Sequence, residues 1–293
     1  MMQPFAESDA VRAVFSEASD VLGQDLWALV AEGPVDALSS TVNTQPVMLT
    51  AGYAVYRAWL EEGGPEPAIV AGHSLGEYTA LVAAGVLSFG DALPLVRFRA
   101  RAMQEAVPLG AGAMAAILGL EDDEVRRACS AASQGDVVEA VNFNAPSQVV
   151  IAGHKTAVER AAESAKAAGA KRAVMLPVSA PFHSSLLEPA ARRLTEYMST
   201  VTFRRPRIPV INNVDVTVLD EPQAIRQALA RQACNPVRWV EVIRAMVQTG
   251  MVHVAECGPG KVLASLTKRI APGLKSYAIT DPRSLAQTRE AIT

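Results

Sequence analysis

A serine stands at the centre of Gly72-His73-Ser74-Leu75-Gly76, which matches the G-x-S-x-G pattern of a nucleophile elbow. The residues before it, Ala68-Ile69-Val70-Ala71, are short, apolar throughout and bounded by glycine, as a fully buried parallel strand would be. Residues 76–84 read as a helix. Strand, tight turn and helix together expose the serine oxygen above the strand end. They also aim the Leu75 N–H, at a helix N-terminus, at a developing oxyanion. The plainer reading is a strand-to-helix turn that happens to contain serine.

A serine nucleophile needs a base. His183, in Ala180-Pro181-Phe182-His183-Ser184, follows a predicted buried strand, and functional residues of open α/β sheets gather at such carboxyl ends. The alternative is a packed loop histidine. His73 adjoins Ser74 with its side chain projecting away, and His154 and His253 fit surface or core-edge positions. No carboxylate stands out in a loop between serine and histidine to complete a triad. The pattern favours a dyad whose histidine is oriented by a main-chain or amide carbonyl.

Arg99 is the third informative residue. On a helix over residues 91–107, Leu95, Val96, Ala102, Met103 and Ala106 fall within about 60° of it, while Arg97 and Arg101 point to the polar side. An arginine inside an apolar stripe requires a desolvated anionic partner. That partner is either an internal carboxylate or a substrate carboxylate held by the planar guanidinium. Gly258-Pro259-Gly260-Lys261 lacks the G-x-x-x-x-G-K-[ST] frame of a phosphate loop and reads as a strand-to-helix turn. Lys166, Lys171 and Arg172, with Lys268 and Arg269, form either a solvated face or a dock for an acidic partner.

These residues need a scaffold, and the composition supplies one. The chain has 293 residues, 50% hydrophobic and 19% charged, with a formal charge of −3. Such a chain buries a large core, is not disordered and is not a dedicated nucleic-acid binder. Low aromatic content with abundant alanine and valine suits helices packed on a sheet better than a β-sandwich. Three cysteines without C-x-x-C spacing and four scattered histidines form no metal site and no disulfide framework, which fits a reducing cytoplasm. No signal peptide and no membrane span are readable, so a soluble, cytoplasmic protein is expected.

Helical spacing at Val11, Val14 and Phe15 and at Val47, Met48, Ala51 and Val55 makes the first sixty residues helical. A helix over 91–107 would hold Pro94 in its first turn. From Ala111, strand at 114–118, helix from Glu121, strands at 137–142 and 148–151, helix over 156–168 and strand at 173–178 give the order β-α-β-β-α-β. That order is the ferredoxin-like pattern. Helices near 186–197, 224–232 and 240–249, strands at 210–213 and 252–256, and a final helix from Lys261 follow. The expected fold is α/β. A parallel-sheet core, residues 1–110 and 180–293, carries an inserted α+β subdomain at 111–179.

Several segments together resemble one family. Gly72-His73-Ser74-Leu75-Gly76-Glu77-Tyr78, Met103-Gln104-Glu105-Ala106-Val107-Pro108, Val141-Asn142-Phe143-Asn144, residues 149–154 and Gly258-Pro259-Gly260-Lys261-Val262-Leu263 are similar to malonyl-CoA:acyl carrier protein transacylases of type II fatty acid synthesis. The resemblance runs to about Arg269. It implies a hydrolase-like α/β domain with a ferredoxin-like insertion, Ser74 as acylated nucleophile and His183 as base. It further implies Arg99 on the malonyl carboxylate, the Leu75 N–H on the oxyanion, and Gln232 as the residue whose carbonyl orients the histidine. His73, Met103 and Asn144 would line the pocket, and Phe182 would leave little room for an α-methyl branch. The substrates would be malonyl-CoA and a phosphopantetheinylated acyl carrier protein, with no metal, no other cofactor, no nucleic acid and no membrane partner, in a monomer. A serine esterase or thioesterase shares the elbow and base but gives no reason for a buried arginine.

One departure stands against this. The family opens with a buried strand and a Gly-Gln-Gly-Ser-Gln loop, whose first glutamine donates a second oxyanion N–H, whereas this sequence starts at Met1-Met2-Gln3-Pro4. The resemblance therefore implies an impaired form of a longer enzyme, or a chain that binds carrier protein with little or no turnover.

Overall fold

The computed structural model describes residues 1–178 and 180–293. Helices α1 (Asp9–Leu22), α2 (Leu26–Glu32), α3 (Val35–Ser39) and α4 (Thr41–Glu61) open the chain. Side-chain caps set their starts: Ser8 accepts from the Val11 N–H and Asp25 from that of Ala28. Val11, Val14, Phe15 and Ala18 turn one face of α1 inward, and Val47, Ala51 and Val55 do the same on α4. Met48, expected with them, lies on the outer face.

The motif serine leads into α5 (Leu75–Ala83), which is followed by α6 (Phe89–Glu105). Ser88 caps α6 through the Asp91 N–H, so the helix starts two residues earlier than expected. Pro94 consequently sits in the second turn, not the first.

Next come β1 (Gly112–Leu118), α7 (Asp122–Ser133), β2 (Val138–Ala145), β3 (Gln148–His154), α8 (Lys155–Ala167) and β4 (Arg172–Met175). The sheet order is β2-β3-β1-β4 with every pair antiparallel, the ferredoxin-like arrangement. One face packs Ala115, Ile117, Val149 and Ile151 against Val125 of α7 and Val158 of α8. The other carries Met114, Val141, Val150 and Ala152, with Phe182 against them.

Helices α9 (Glu188–Ser199), α10 (Pro222–Gln232) and α11 (Trp239–Gln248) follow, then β5 (His253–Cys257) and α12 (Val262–Ile270). Two elements were not expected after α12: β6 (Lys275–Ile279), parallel to β5, and α13 (Pro282–Ile292). Asp281 and Ser284 form a capping box at the head of α13.

The expected buried strand at 68–71 and the expected strand at 210–213 shrink to a parallel bridge, Val70 to Val210. Ala68 is exposed, and Ile69, Val70 and Ala71 are half-buried. The bonds Val70 N–H to Pro209 O and Ile211 N–H to Val70 O start a ladder. It stops because the Asn213 N–H donates to the Glu77 carboxylate, and Gly72 O accepts the Asn213 side chain. The sheet's next hydrogen bonds are spent on the site. Among the described residues, no helix is long and apolar enough to cross a membrane.

Candidate active site

Ser74 has φ 52° and ψ −108°, left-handed backbone that a non-glycine residue adopts only under constraint. The turn is held from outside: Asn213 Oδ1 accepts the Ser74 N–H at 2.7 Å and its Nδ2 donates to Gly72 O at 2.8 Å. Gly72 is forced by space, since a Cβ there would lie 1.9 Å from the main-chain carbon of Gly76. Gly76 has no such constraint; a Cβ there would meet nothing within 4 Å. Leu75 is the first residue of α5, where main-chain N–H groups have no partner in the helix.

His183 also has a positive φ, 67°, so both members of the pair sit in left-handed backbone. Ser74 Oγ and His183 Nε2 are 2.7 Å apart, and His183 Nδ1 lies 2.8 Å from Gln232 O. A carbonyl only accepts, so Nδ1 carries the proton and Nε2 is left as the acceptor for the serine hydroxyl. Burial, with Arg99 next in importance, pushes the imidazole down to about 3. The ring is therefore neutral, with Nε2 unprotonated and turned to the serine hydroxyl.

Arg99 is 2% exposed. Its Nη1 donates to Gln45 Oε1 at 2.8 Å, and its Nη2 donates to Ser74 Oγ and Gln232 Oε1, each at 3.0 Å. Among the described residues no carboxylate pairs with it, and its Nε–H has no partner. Of the two partners the sequence left open, the internal carboxylate is absent from contact. Arg97 departs from the expected solvated face: it is half-buried and donates to Leu22 O and Gln24 Oε1. Arg101 is exposed as expected.

Gln232 is fully buried at the last turn of α10. Besides its contacts with His183 and Arg99, its Nε2 donates to Ser74 O and Glu77 Oε2, both at 2.9 Å. Glu77 is buried too, and that burial raises its carboxyl to about 7 against the lowering effect of Gln232, Asn213 and Arg99. Gln45, Glu77 and Asn213 were not singled out as site residues from sequence. Gln45 betrays itself only as a polar residue on an apolar helix face, and Asn213 as a second asparagine closing an apolar run.

His73 points away from the serine, as expected. Its Nε2–H donates to Asn144 Oδ1 at 2.8 Å, and its ring meets Trp239 edge-on at 5.6 Å between centroids. Burial lowers its pKa. Asn144 lies on β2, which reaches the site twice more. Glu139 accepts from both the main-chain N–H and the hydroxyl of Ser185, and Val237 exchanges main-chain bonds with Val141 and Phe143. Phe182 is half-buried beside His183, and Met103 lies fully buried in the helical core. Gly258 to Lys261 forms the turn between β5 and α12. Among the described residues no cluster of His, Cys, Asp or Glu could hold a metal ion.

A serine hydroxyl, a neutral imidazole fixed by a carbonyl, a helix-head N–H and a buried guanidinium that meets no carboxylate among the described residues suit acyl transfer from a donor that carries a carboxylate. The chain matches the acyl transferase domain over residues 2–283. It is 54% identical over 280 residues to the malonyl CoA-acyl carrier protein transacylase of Escherichia coli K12, covering 96% of this chain and 91% of that one. Against the enzyme of the same description from Bacillus subtilis it is 43% identical over 282 residues, covering 96% and 89%. The crystal structure of an acyl-carrier-protein S-malonyltransferase from Burkholderia pseudomallei superposes with a TM-score of 0.98 at 61% identity, covering 99% and 94%. A malonyl-transacylase solved in complex with its type II PKS acyl-carrier protein superposes with a TM-score of 0.96 at 50% identity, covering 98% and 93%.

Proposed function

The chain belongs to the acyl transferase domain family, among the malonyl CoA-acyl carrier protein transacylases, and we infer that Ser74 carries the malonyl group between the two thiols. The transfer runs from malonyl-CoA to the phosphopantetheine thiol of an acyl carrier protein. The observation that supports this assignment of roles is the placement of Ser74 Oγ within hydrogen-bond reach of both His183 and Arg99.

In the first half-reaction His183 Nε2 takes the Ser74 proton as Oγ attacks the thioester carbonyl. The Leu75 N–H faces the oxyanion. The C–S bond breaks, the thiol leaves with the proton returned by His183, and malonyl-serine remains. In the second half the carrier thiol gives its proton to His183 and attacks the ester, and Oγ leaves reprotonated. Gln232 O holds the imidazole in one tautomer throughout. Arg99 selects the donor, because a buried guanidinium without a carboxylate partner favours an acyl group that brings one.

Incubation with malonyl-CoA followed by intact-mass measurement tests this reading. A malonyl adduct is expected that maps to Ser74, disappears in Ser74→Ala and transfers to holo carrier protein. Hydrolysis without transfer would indicate a thioesterase, and an adduct that persists in Ser74→Ala would overturn the nucleophile.

A further inference from the structure

The reaction described above uses Ser74, His183, Arg99 and main-chain groups, and leaves the buried carboxyl of Glu77 without a task. Glu77 lies one turn into α5 from the nucleophile, is 2% exposed and forms no ion pair among the described residues. Its Oε2 accepts two hydrogen bonds, one from the Asn213 N–H at 3.0 Å and one from Gln232 Nε2 at 2.9 Å. Each of those residues is itself a support. Asn213 braces the elbow through Ser74 N–H and Gly72 O. Gln232 holds His183 through its main-chain carbonyl and Arg99 through Oε1.

An amide side chain can present either end. Two acceptors on one side, Ser74 O and Glu77 Oε2, claim the Gln232 nitrogen, which leaves the oxygen for Arg99. Flipped, the amide would set donor against donor at Arg99 Nη2 and lose two bonds on the other side. We propose that Glu77 is a positioning residue of this site: as a paired acceptor it locks the Gln232 amide so that Arg99 faces the acyl group and the Ser74 elbow stays braced. The proposal rests on the acyl-transfer reading above. Glu77 touches no reacting atom and works through Gln232 and Asn213.

The test compares Glu77→Gln, Glu77→Leu, Gln232→Met and the double variant Glu77→Leu/Gln232→Met for Ser74 acylation by malonyl-CoA and acetyl-CoA. Thermal melts monitor folding. Glutamine keeps a carbonyl oxygen that accepts both bonds, so Glu77→Gln should stay within about threefold of the parent in malonyl preference over acetyl. Glu77→Leu should lose about tenfold or more of that preference. Gln232→Met keeps the main-chain carbonyl and should lose a similar amount, and the double variant should be no worse than Gln232→Met alone, because the two residues act in series.

Additive losses in the double variant, or an unchanged preference in Glu77→Leu, would overturn the proposal. So would a Glu77→Gln variant as impaired as Gln232→Met. That last comparison needs no leucine variant and stands even if Glu77→Leu fails to fold. A parent chain that forms no malonyl-serine at all would instead overturn the acyl-transfer reading, an outcome distinct from each of these.

Discussion

Arg99 donates a hydrogen bond to Ser74 Oγ across 3.0 Å, so the cation assigned to the substrate touches the nucleophile itself. Three of the five guanidinium donors are taken, by Gln45, Ser74 and Gln232. All three acceptors are neutral oxygens. A positive charge so close to Oγ favours the alkoxide character that attack requires. It also gives Arg99 a second role beside the proposed pairing with a carboxylate.

Replacing Arg99 should separate those two roles. Arg99→Ala is expected to slow acylation by malonyl-CoA and acetyl-CoA alike through the lost contact with Oγ, and malonyl-CoA further by about 2–4 kcal/mol through the lost charge-assisted pairing. Pre-steady-state acylation with both donors measures this. Equal losses for the two would mean that the side chain does not read the carboxylate.

Two buried groups tie stability to pH with opposite signs. The unfolded chain protonates His183 below about 6.5, while the folded chain resists until about 3, so stability falls as pH drops through that window. Folded Glu77 holds a proton up to about 7, whereas the unfolded chain releases it at 4.5, so its contribution falls as pH rises from 4.5 to 7. Between pH 4.5 and 6.5 the two oppose each other. Glu77→Gln removes one of them. Its stability should drop more steeply than the parent's on acidification from 6.5 to 4.5, by up to about 1.4 kcal/mol per pH unit. Urea titrations at both pH values decide it, and parallel losses would contradict the assignment.

The two glycines of the elbow should behave differently. A Cβ on Gly72 has nowhere to go beside the main chain of Gly76, so Gly72→Ala should cost about 3 kcal/mol or prevent folding. Gly76→Ala places its methyl in open space within a helix and should fold as stably as the parent, or by about 0.4–1 kcal/mol more so. Thermal melts of the two variants check the contrast. Similar losses would show that the second glycine also serves the backbone.

Local chemistry was readable where it acts locally. Gly72, Ser74 and the helix after them make a turn that the motif alone describes, and the β-α-β-β-α-β order read between residues 114 and 178 agrees with the small sheet. Long-range relations were not. Gln45 on α4 reaches Arg99, and Asn213 beyond the Val70 bridge reaches Glu77 on α5, and nothing in their spacing announces either contact. Asn213 also explains why the strand expected at 210–213 is cut short: by turning its N–H to Glu77 it ends the ladder. Pro94 falls in the second turn and not the first because the Ser88 cap starts α6 at Phe89, two residues ahead of the expected start.

Strand β2 holds the segments bearing His73, Ser185 and Val237 through Asn144, Glu139 and the main chain of Val141 and Phe143. In mechanical terms it is a common beam. Each attached segment lies close in sequence to one working part: Ser74, His183 or the Gln232 carbonyl. A tilt of the small sheet is therefore a common-mode displacement, carrying all three parts in the same direction. The 2.7 Å between Ser74 Oγ and His183 Nε2 is a difference coordinate between two segments tied to the same strand.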